Sequence, residues 1–369
     1  MRYLFINSVC GYGSTGKIVA DTCRRLRAQG HECAVAWGRI KINSDNISTY
    51  RIGTKLDIYV HAIGTRLWDR EGLGSKRATK KLLKWMDAYN PDVIWLHNLH
   101  GYYINFELLF AYIKSKKIKV YWTLHDCWSF TGHCTYFTIA NCEQWKTHCQ
   151  NCTQTHRYPA CYGKSHVYSN FERKKNAFTN VKDMTLITPS KWLRDLVKDS
   201  FLQEYPVVVQ YNTIDHEIFK PTASNFRQRY GLENKKIILG VASVWDERKG
   251  LNDFIKLAQM LDEEYVIVLV GLTPKQIKKM PAGILGLERT NSGKELAAIY
   301  SAADLFVNPS REETFGMTPM EAKACGTEPI VLKGTACEEI VNIYGGFAIP
   351  AGDINTLYYA IVDYDYKKY

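Results

Sequence analysis

The sequence has no apolar run long enough to cross a bilayer. Its longest, YVIVLVGL from Tyr265, falls far short of the ~20 residues that a membrane-spanning helix needs. No secretory leader is expected either: MRYLFINSVC has one basic residue and a short apolar run that meets glycines at once, which predicts a first strand. Internal repeats and low-complexity tracts are missing, so neither a solenoid nor a disordered scaffold is expected. Acidic residues are the minority charge, 37 against 48 Lys and Arg, for a formal net charge of +11. A basic surface attracts anions, whether phosphorylated small molecules, nucleic acid or acidic lipid, and it equally serves plain solubility. These absences predict a cytoplasmic chain, in whose reducing setting the eleven cysteines are free thiols or metal ligands before they are disulfides.

What is present is ordinary in bulk and patterned in detail. With 369 residues, 46% hydrophobic and 23% charged, the chain has room for two domains. RYLFINSV, HECAVAWG, PDVIWLHN, KVYWTLHD and MTLITPS are short apolar runs, and GKIVADTCRRLRAQG has apolar positions at helical spacing. PVVVQYNTIDHEIFKP, from Pro206 to Pro221, reads as a crossing. The rhythm then restarts with KIILGVASV, LNDFIKLAQML, YVIVLVG, GKELAAIYSAA, DLFVNPS and TPMEAKACG. This predicts an α/β chain of two Rossmann-like, doubly wound domains facing across a cleft. The first is expected over 1–205, with a cysteine-rich insertion at about 127–161, and the second over 206–352. A C-terminal helix and tail over 353–369 is expected to return to the first domain.

Open parallel sheets bind ligands beyond the carboxyl ends of their strands. The polar residues that close each run therefore matter most: Gly11 to Lys17, His97 to His100, His125 and Asp126, Ser243 to Gly250, and Ser310 to Gly316. GYGSTGK matches GxGxxG through Gly11, Gly13 and Gly16, and nearly matches a Walker phosphate loop. The dinucleotide reading lacks an acid at the end of the second run, where Trp37, Gly38 and Arg39 stand. The Walker reading lacks Ser or Thr after Lys17, where Ile18 stands. A glycine turn that faces a cleft without either ligand, and a purely structural turn, stand beside them.

ETFGMTPME sets Glu313 and Glu321 around a glycine at the join of a strand and a helix. Thr318 is predicted to cap a helix that begins at Pro319, which puts Glu321 in the first turn. Two carboxylates can accept vicinal hydroxyls, while the amides of Phe315, Gly316 and Met317 can meet an anion. An acid-rich surface loop with a capping glutamate is the alternative. Arg248 and Lys249 can neutralise a diphosphate or stand as solvated surface charges.

These segments resemble the retaining, nucleotide-sugar-dependent glycosyltransferases of family four, whose fold is the two-Rossmann GT-B arrangement. NPSREETFGMTPMEAKACG is similar to the family's hallmark of PS, a glutamate, FG and a second glutamate. ERKG resembles its lysine–glycine step, QYNTIDHEIFKP its interdomain crossing, and GTACEEIV, residues 334 to 341, its later glycine-rich segment. PDVIWLHNLHG and TLHDCWSFTGHC resemble a subset that builds bacterial surface polysaccharides of the colanic-acid and O-antigen kind. The resemblance implies metal-independent transfer of a sugar, with retention, from a UDP- or GDP-linked donor. The implied acceptor is a hydroxyl of a lipid-linked glycan in O-antigen, capsule or exopolysaccharide synthesis. It implies that Glu321 holds the donor ribose, that Glu313 meets donor-sugar hydroxyls beside the amides of Phe315, Gly316 and Met317, and that Lys249 holds the diphosphate. His125 would stand by the transferred sugar, oriented by Asp126, and the loop around Gly13 would lie across the cleft. One departure is visible: the arginine usual about five residues before the lysine is Val244 here, which leaves Arg248 as the candidate second cation. Such catalysis requires no cofactor, and no nucleic-acid partner is expected. A nucleotide-sugar-binding module without turnover, and a P-loop phosphotransferase using Gly11 to Lys17, are the alternative function classes.

Two further segments carry chemistry. Cys134, Cys142, Cys149 and Cys152 are candidates for a structural zinc site, the last pair being CxxC. His133, His148 or Cys161 could replace one member, and reduced buried thiols or disulfides are the other readings. SKRATKKLLKWMDAYNPD, from Ser75, is basic and amphipathic: Leu82, Leu83, Trp85 and Met86 form its apolar side among Lys76, Arg77, Lys80, Lys81 and Lys84. It can lie on an acidic membrane or pack on the sheet with a solvated basic face, and the expected place is peripheral, on the inner face of the bacterial cell membrane. Asp363 and Asp365 form a DxD in the tyrosine-rich tail. It is set aside as a metal pair, because the GT-B type needs none.

Overall fold

The apolar runs of the first half assemble into one sheet in the computed structural model, which describes residues 1–42 and 47–364. In chain order the elements are β1 (Arg2–Cys10), α1 (Gly13–Ala28), β2 (Glu32–Lys41), β3 (Ser48–Arg51), α2 (Lys55–Trp68), α3 (Lys76–Tyr89), β4 (Val93–Leu96), α4 (Phe106–Lys116), β5 (Lys119–Thr123), α5 (Val167–Phe178), β6 (Met184–Thr188), α6 (Lys191–Lys198) and β7 (Val207–Val209). The strands lie in the order β3-β2-β1-β4-β5-β6-β7, and every pairing is parallel. Parallel strands covered on both faces read as continuous apolar runs; Leu4, Phe5 and Ile6 of β1 and Ile94 and Leu96 of β4 are fully buried. The chain builds outward from β1 to β3 on one side and from β4 to β7 on the other. A switch point therefore opens between the carboxyl ends of β1 and β4.

The expected crossing begins one strand too early. Val207–Val209 belong to the first sheet as its edge, in register with β6 from Leu186↔Val207 to Thr188↔Val209. An extended β-branched run gains its ladder hydrogen bonds there, so the chain divides after Gln210, not after residue 205.

The segment between β5 and α5 is held by packing. Short 3-10 turns at Trp128–Phe130, Thr138–Ala140 and Gln144–Lys146 fold around Phe130, Phe137 and Trp145, with Phe137 stacked on Trp145 at 4.7 Å. Lys174 of α5 is buried against this segment. Its Nζ donates to the carbonyls of Trp128 at 2.7 Å and Thr131 at 3.0 Å and lies 3.6 Å from the Trp128 ring centroid. Burial pulls its pKa down to about 7.

Of the two readings of α3, the one packed on the sheet with a solvated basic face is what the structure has. Leu82 and Met86 are fully buried in the core, and Trp85 stacks between Tyr50 and Tyr89 at 4.8 and 5.2 Å. The basic residues remain outward, with Asp87 exposed in the last turn and paired with Lys116 of α4.

The second unit follows as α7 (Phe226–Tyr230), β8 (Lys236–Val241), α8 (Leu251–Ala258), β9 (Tyr265–Val270), α9 (Pro274–Ile277), β10 (Ile284–Leu287), α10 (Gly293–Ala302), β11 (Leu305–Asn308), α11 (Met317–Ala324), β12 (Glu328–Leu332), α12 (Ala336–Tyr344), β13 (Phe347–Ile349) and α13 (Ile354–Val362). Its strands lie in the order β10-β9-β8-β11-β12-β13, again all parallel. The switch point is between β8 and β11. The C-terminal helix α13 buries Leu357 and Ile361 in the core of this unit, with Phe254 and Leu257 of α8. Asp363 closes α13; Asp365, and with it the DxD, lies outside the described residues. Among the described residues no helix is long and apolar enough to cross a membrane.

Replacing Lys174 by Met keeps the bulk and strips two buried carbonyls of their donor. The expected loss is on the order of 2–4 kcal/mol, read as an earlier urea midpoint in tryptophan fluorescence. An unchanged midpoint would show that the lysine does not hold the segment.

Candidate functional site

The loop after β8 and the loop after β11 are tied to each other at the second switch point. Arg311 N donates to Arg248 O at 3.0 Å, and Arg248 Nη1 donates to Glu312 O at 3.1 Å. Arg311 also makes a two-pronged contact with Asp253 of α8, at 2.8 and 3.1 Å. Gly250 turns the first loop into α8 with φ +74°, and a Cβ there would stand 2.6 Å from Pro309 Cγ. Only glycine allows both the left-handed turn and that approach.

Within this frame Lys249 Nζ pairs with Glu313 Oε2, and Arg248 Nη1 stands 3.8 Å from the same oxygen. The three side chains are 16–21% exposed, sheltered enough for their charges to matter and open enough for a ligand. Val244, where the family pattern has arginine, is exposed at 63%; Arg248 is the second cation that the fold brings to the glutamate.

Helix α11 starts two residues earlier than expected. Gly316 is its N-cap at φ 101°, and a Cβ on it would lie 2.8 Å from Cys337 Sγ of α12. Thr318 does not cap; it lies inside the helix and accepts from Asn308 Nδ2 at 3.4 Å. The first turn of α11 therefore carries no acid, and Glu321 falls in the second, where its Oε2 accepts from the buried Tyr300 hydroxyl at 3.1 Å. Phe315 turns its ring into a small core with Ile214, Met320 and Ile340. The amides of Gly316 and Met317 head the helix, where helix geometry supplies no acceptor. Ala336 N, at the start of α12, donates to Glu313 O at 3.1 Å. Paired cations, a glutamate between them and a glycine-capped helix start together suit an anion joined to a hydroxyl-bearing group.

In the first unit, Gly11 and Gly13 carry the turn from β1 into α1 at φ 69° and 64°, and Gly11 N donates to Gly16 O at 3.1 Å. Across the switch point, His97 follows β4 and His125 follows β5. Their rings stack at 5.2 Å and 15°, with His97 Nδ1 and His125 Nε2 2.9 Å apart. Asp126 does not orient His125 as expected. Its Oδ2 pairs with His100 Nε2 at 2.7 Å and its Oδ1 accepts from Trp128 N at 2.9 Å. Tyr158 holds the other nitrogen of His100 at 3.0 Å. Both side chains reach the segment after β4, His125 at its first residue, His97, and Asp126 three residues on, at His100. Burial pushes the His125 pKa down to about 4 and that of His97 well below the ordinary imidazole value. Asp126 and burial act oppositely on His100, and the carboxylate prevails, raising it. At neutral pH the 97–125 pair is therefore uncharged and shares one proton donor across its contact.

Sequence reasoning did not foresee this pairing, nor buried Glu312, nor Tyr300 under Glu321. The signal for the pairing was present in the two runs that end in histidine, HN and HD, but strand adjacency was needed to read it. The four cysteines line one cavity of about 500 Å³, and the Cys134 and Cys152 thiols hydrogen-bond. Among the described residues no three His, Cys, Asp or Glu side chains are grouped as a metal ion requires.

Known proteins resemble the chain over both units. A family model described as Glycosyltransferase Family 4 matches residues 15–218, and one described as Glycosyl transferases group 1 matches residues 223–363. The putative colanic acid biosynthesis glycosyl transferase WcaC of Escherichia coli is 38% identical over 170 residues, 43% of this chain and 41% of the relative. The processive diacylglycerol alpha-glucosyltransferase of Acholeplasma laidlawii is 31% identical over 160 residues, 40% of this chain and 47% of the relative. The matched part thus spans less than half the length of each of these two curated relatives. Among solved structures, Anabaena HepE in complex with UDP-glucose aligns over 98% of this chain and 89% of its own, with TM-score 0.63 and 16% identity.

Acid should loosen the first unit through its histidines. An unfolded histidine takes a proton below about pH 6.5, whereas folded His125 resists until about pH 4. Stability is lost as pH falls through that window; His97 acts in the same sense and His100 in the opposite one. His125→Gln keeps a polar partner for His97 and removes the titration. It should shrink the acid loss, measured as melting temperature between about pH 7 and 4, by on the order of 3 kcal/mol. An unaltered pH profile would contradict the burial of that imidazole.

Proposed function

The chain belongs to glycosyltransferase family 4 and has its GT-B fold, and on that premise we propose that it transfers a sugar from a nucleoside-diphosphate donor to a hydroxyl of a glycan acceptor. The single observation that carries this reading is the Lys249–Glu313 pair beside Arg248 at the β8–β11 switch point. Lys249 and Arg248 take the diphosphate, and Glu313, relieved of part of its ion pair, accepts donor-sugar hydroxyls. Glu321, anchored by Tyr300, accepts from the ribose. The likeness to WcaC and to a structure holding UDP-glucose supports a hexose donor and a surface-polysaccharide acceptor. A relative named for diacylglycerol supports an acceptor carried on lipid.

A retaining course is part of this proposal: the acceptor oxygen adds to the anomeric carbon on the face that the diphosphate leaves, while Glu313 holds sugar hydroxyls and does not attack. The C–O bond to the diphosphate breaks, the new C–O bond forms, and the acceptor proton passes to the departing phosphate oxygen. Lys249 and Arg248 stabilise the charge that develops there. The neutral His125 is assigned to the sugar side, donating or accepting one hydrogen bond without adding charge.

A panel of UDP- and GDP-linked sugars tests the reading. The true donor should raise the melting temperature of the chain and release its nucleoside diphosphate when glycan acceptors are added. Lys249→Met should lower kcat by about 100-fold or more while leaving the unliganded melting temperature nearly unchanged. Donor binding without turnover in the unaltered chain would favour a binding module, and magnesium-dependent ATP hydrolysis a phosphotransferase.

A further inference from the structure

Helix α2 carries an exposed apolar face. Leu56, Tyr59, Val60, Ile63 and Leu67 fall within an arc of about 100° when placed at 100° per residue. All five are exposed, Leu56 and Tyr59 by 72% and 71%. The inward side of the same helix, His61 and Thr65, is buried, and a reciprocal cap between Thr54 and Asp57 fixes its start. The stripe therefore faces out from a well-anchored helix. Scattered exposed apolar side chains are ordinary, but a contiguous set marks a surface that meets something apolar.

The neighbouring charge tells what that is. On α3, Lys76, Arg77, Lys80, Lys81 and Lys84 are exposed, and Arg77 and Lys81 stand near enough to Asp57 of α2 to help lower its pKa. Of the other acids from residue 54 to the end of α3, Asp69 and Glu71 are buried at 1% and 5% exposure, and Asp87, exposed in the last turn of α3, is paired with Lys116 of α4. A groove of about 730 Å³ runs between the helices, with Leu56, Val60 and Ile63 on one wall and Lys76 and Arg77 at its edge. A second copy of this chain would bring the same cations to the contact, and like charge would oppose that pairing.

We infer that α2 and α3 form a docking face for an anionic bilayer, with the α2 stripe at the acyl boundary and the α3 cations among the headgroups. The sequence pointed to α3 for both parts. The structure divides them, because the apolar side of α3 is spent on the core. The face suits the proposed lipid-linked acceptor, but its existence does not depend on transfer.

Flotation of the full chain with vesicles tests it. Phosphatidylcholine vesicles with ~30% phosphatidylglycerol should carry the chain up, pure phosphatidylcholine should not, and salt near 1 M should weaken the attachment. The triple variant Leu56→Ser, Val60→Ser, Ile63→Ser should bind anionic vesicles about tenfold more weakly or worse. Lys80→Glu, Lys81→Glu, Lys84→Glu should remove the preference for anionic lipid. Both variants should keep the parent melting temperature, since the substituted side chains are exposed. A chain that stays with the pellet, a serine variant that floats like the parent, or a dimer that the serine variant breaks in sedimentation would each overturn the docking face. Vesicle binding without any transferase activity would leave it standing and count against the proposed reaction instead.

Discussion

Lys249 and Glu313 lie on different loops, and the second unit is built so that those loops cannot separate. Gly250 lets the first loop press on Pro309 at the root of the second, and the backbone bond from Arg311 to Arg248 stitches them. Gly316 then lets α11 begin against Cys337 of α12. A side chain at Gly250 would push the cation-bearing loop away from the glutamate-bearing one, and one at Gly316 would push the start of α11 away from α12. The site's charges are thus positioned by the absence of two side chains. That economy is why the spacing of glycines in ERKG and ETFG carries as much information as the charged residues beside them. Between them Glu312 is buried, and its carbonyl accepts from Arg248.

The first unit solves a different electrostatic problem. Its strand ends present three histidines and one aspartate within a few residues of each other, and burial would make several charges there costly. The structure divides them into two pairs. Asp126 and His100 hydrogen-bond, closed by Tyr158, and the carboxylate raises the His100 pKa, while His97 and His125 stack and share a proton donor. His125 thus sits next to a carboxylate without being protonated by it. A neutral imidazole can meet a hydroxyl in either hydrogen-bonding sense.

The α/β class and the parallel sheets were legible because fully buried strands announce themselves as apolar runs, as in VIWL and YVIVLV. That Lys249 and Glu313 would meet was legible because both follow strand ends of one sheet. What could not be read depended on contacts between distant segments. Val207–Val209 looked like a crossing, since nothing local says which sheet an extended edge joins. Gly316 as a cap, in place of Thr318, depends on how closely α12 approaches. The partner of Asp126 depends on the 97–101 loop, and the fate of Leu82 and Met86 on which side of α3 meets the sheet. In each case the residue types were right and the geometry was decided elsewhere.

The net charge of +11 is not one property but two, distinguished by surroundings. Lys249 and Arg248 are sheltered, each close to a carboxylate, and in such a place a charge interacts strongly at short range and is screened little by salt. The lysines of α3 stand in water without acids beside most of them, so their influence is long-ranged and fades within a Debye length as salt rises. A single basic chain can therefore attract anions by two mechanisms that ionic strength separates: one that recognises a small diphosphate by fit, and one that recognises a surface by its potential. The exposed apolar stripe of α2 has meaning only beside the second, because an apolar face without charge would stick to anything, and a charged face without apolar depth would let go at physiological salt.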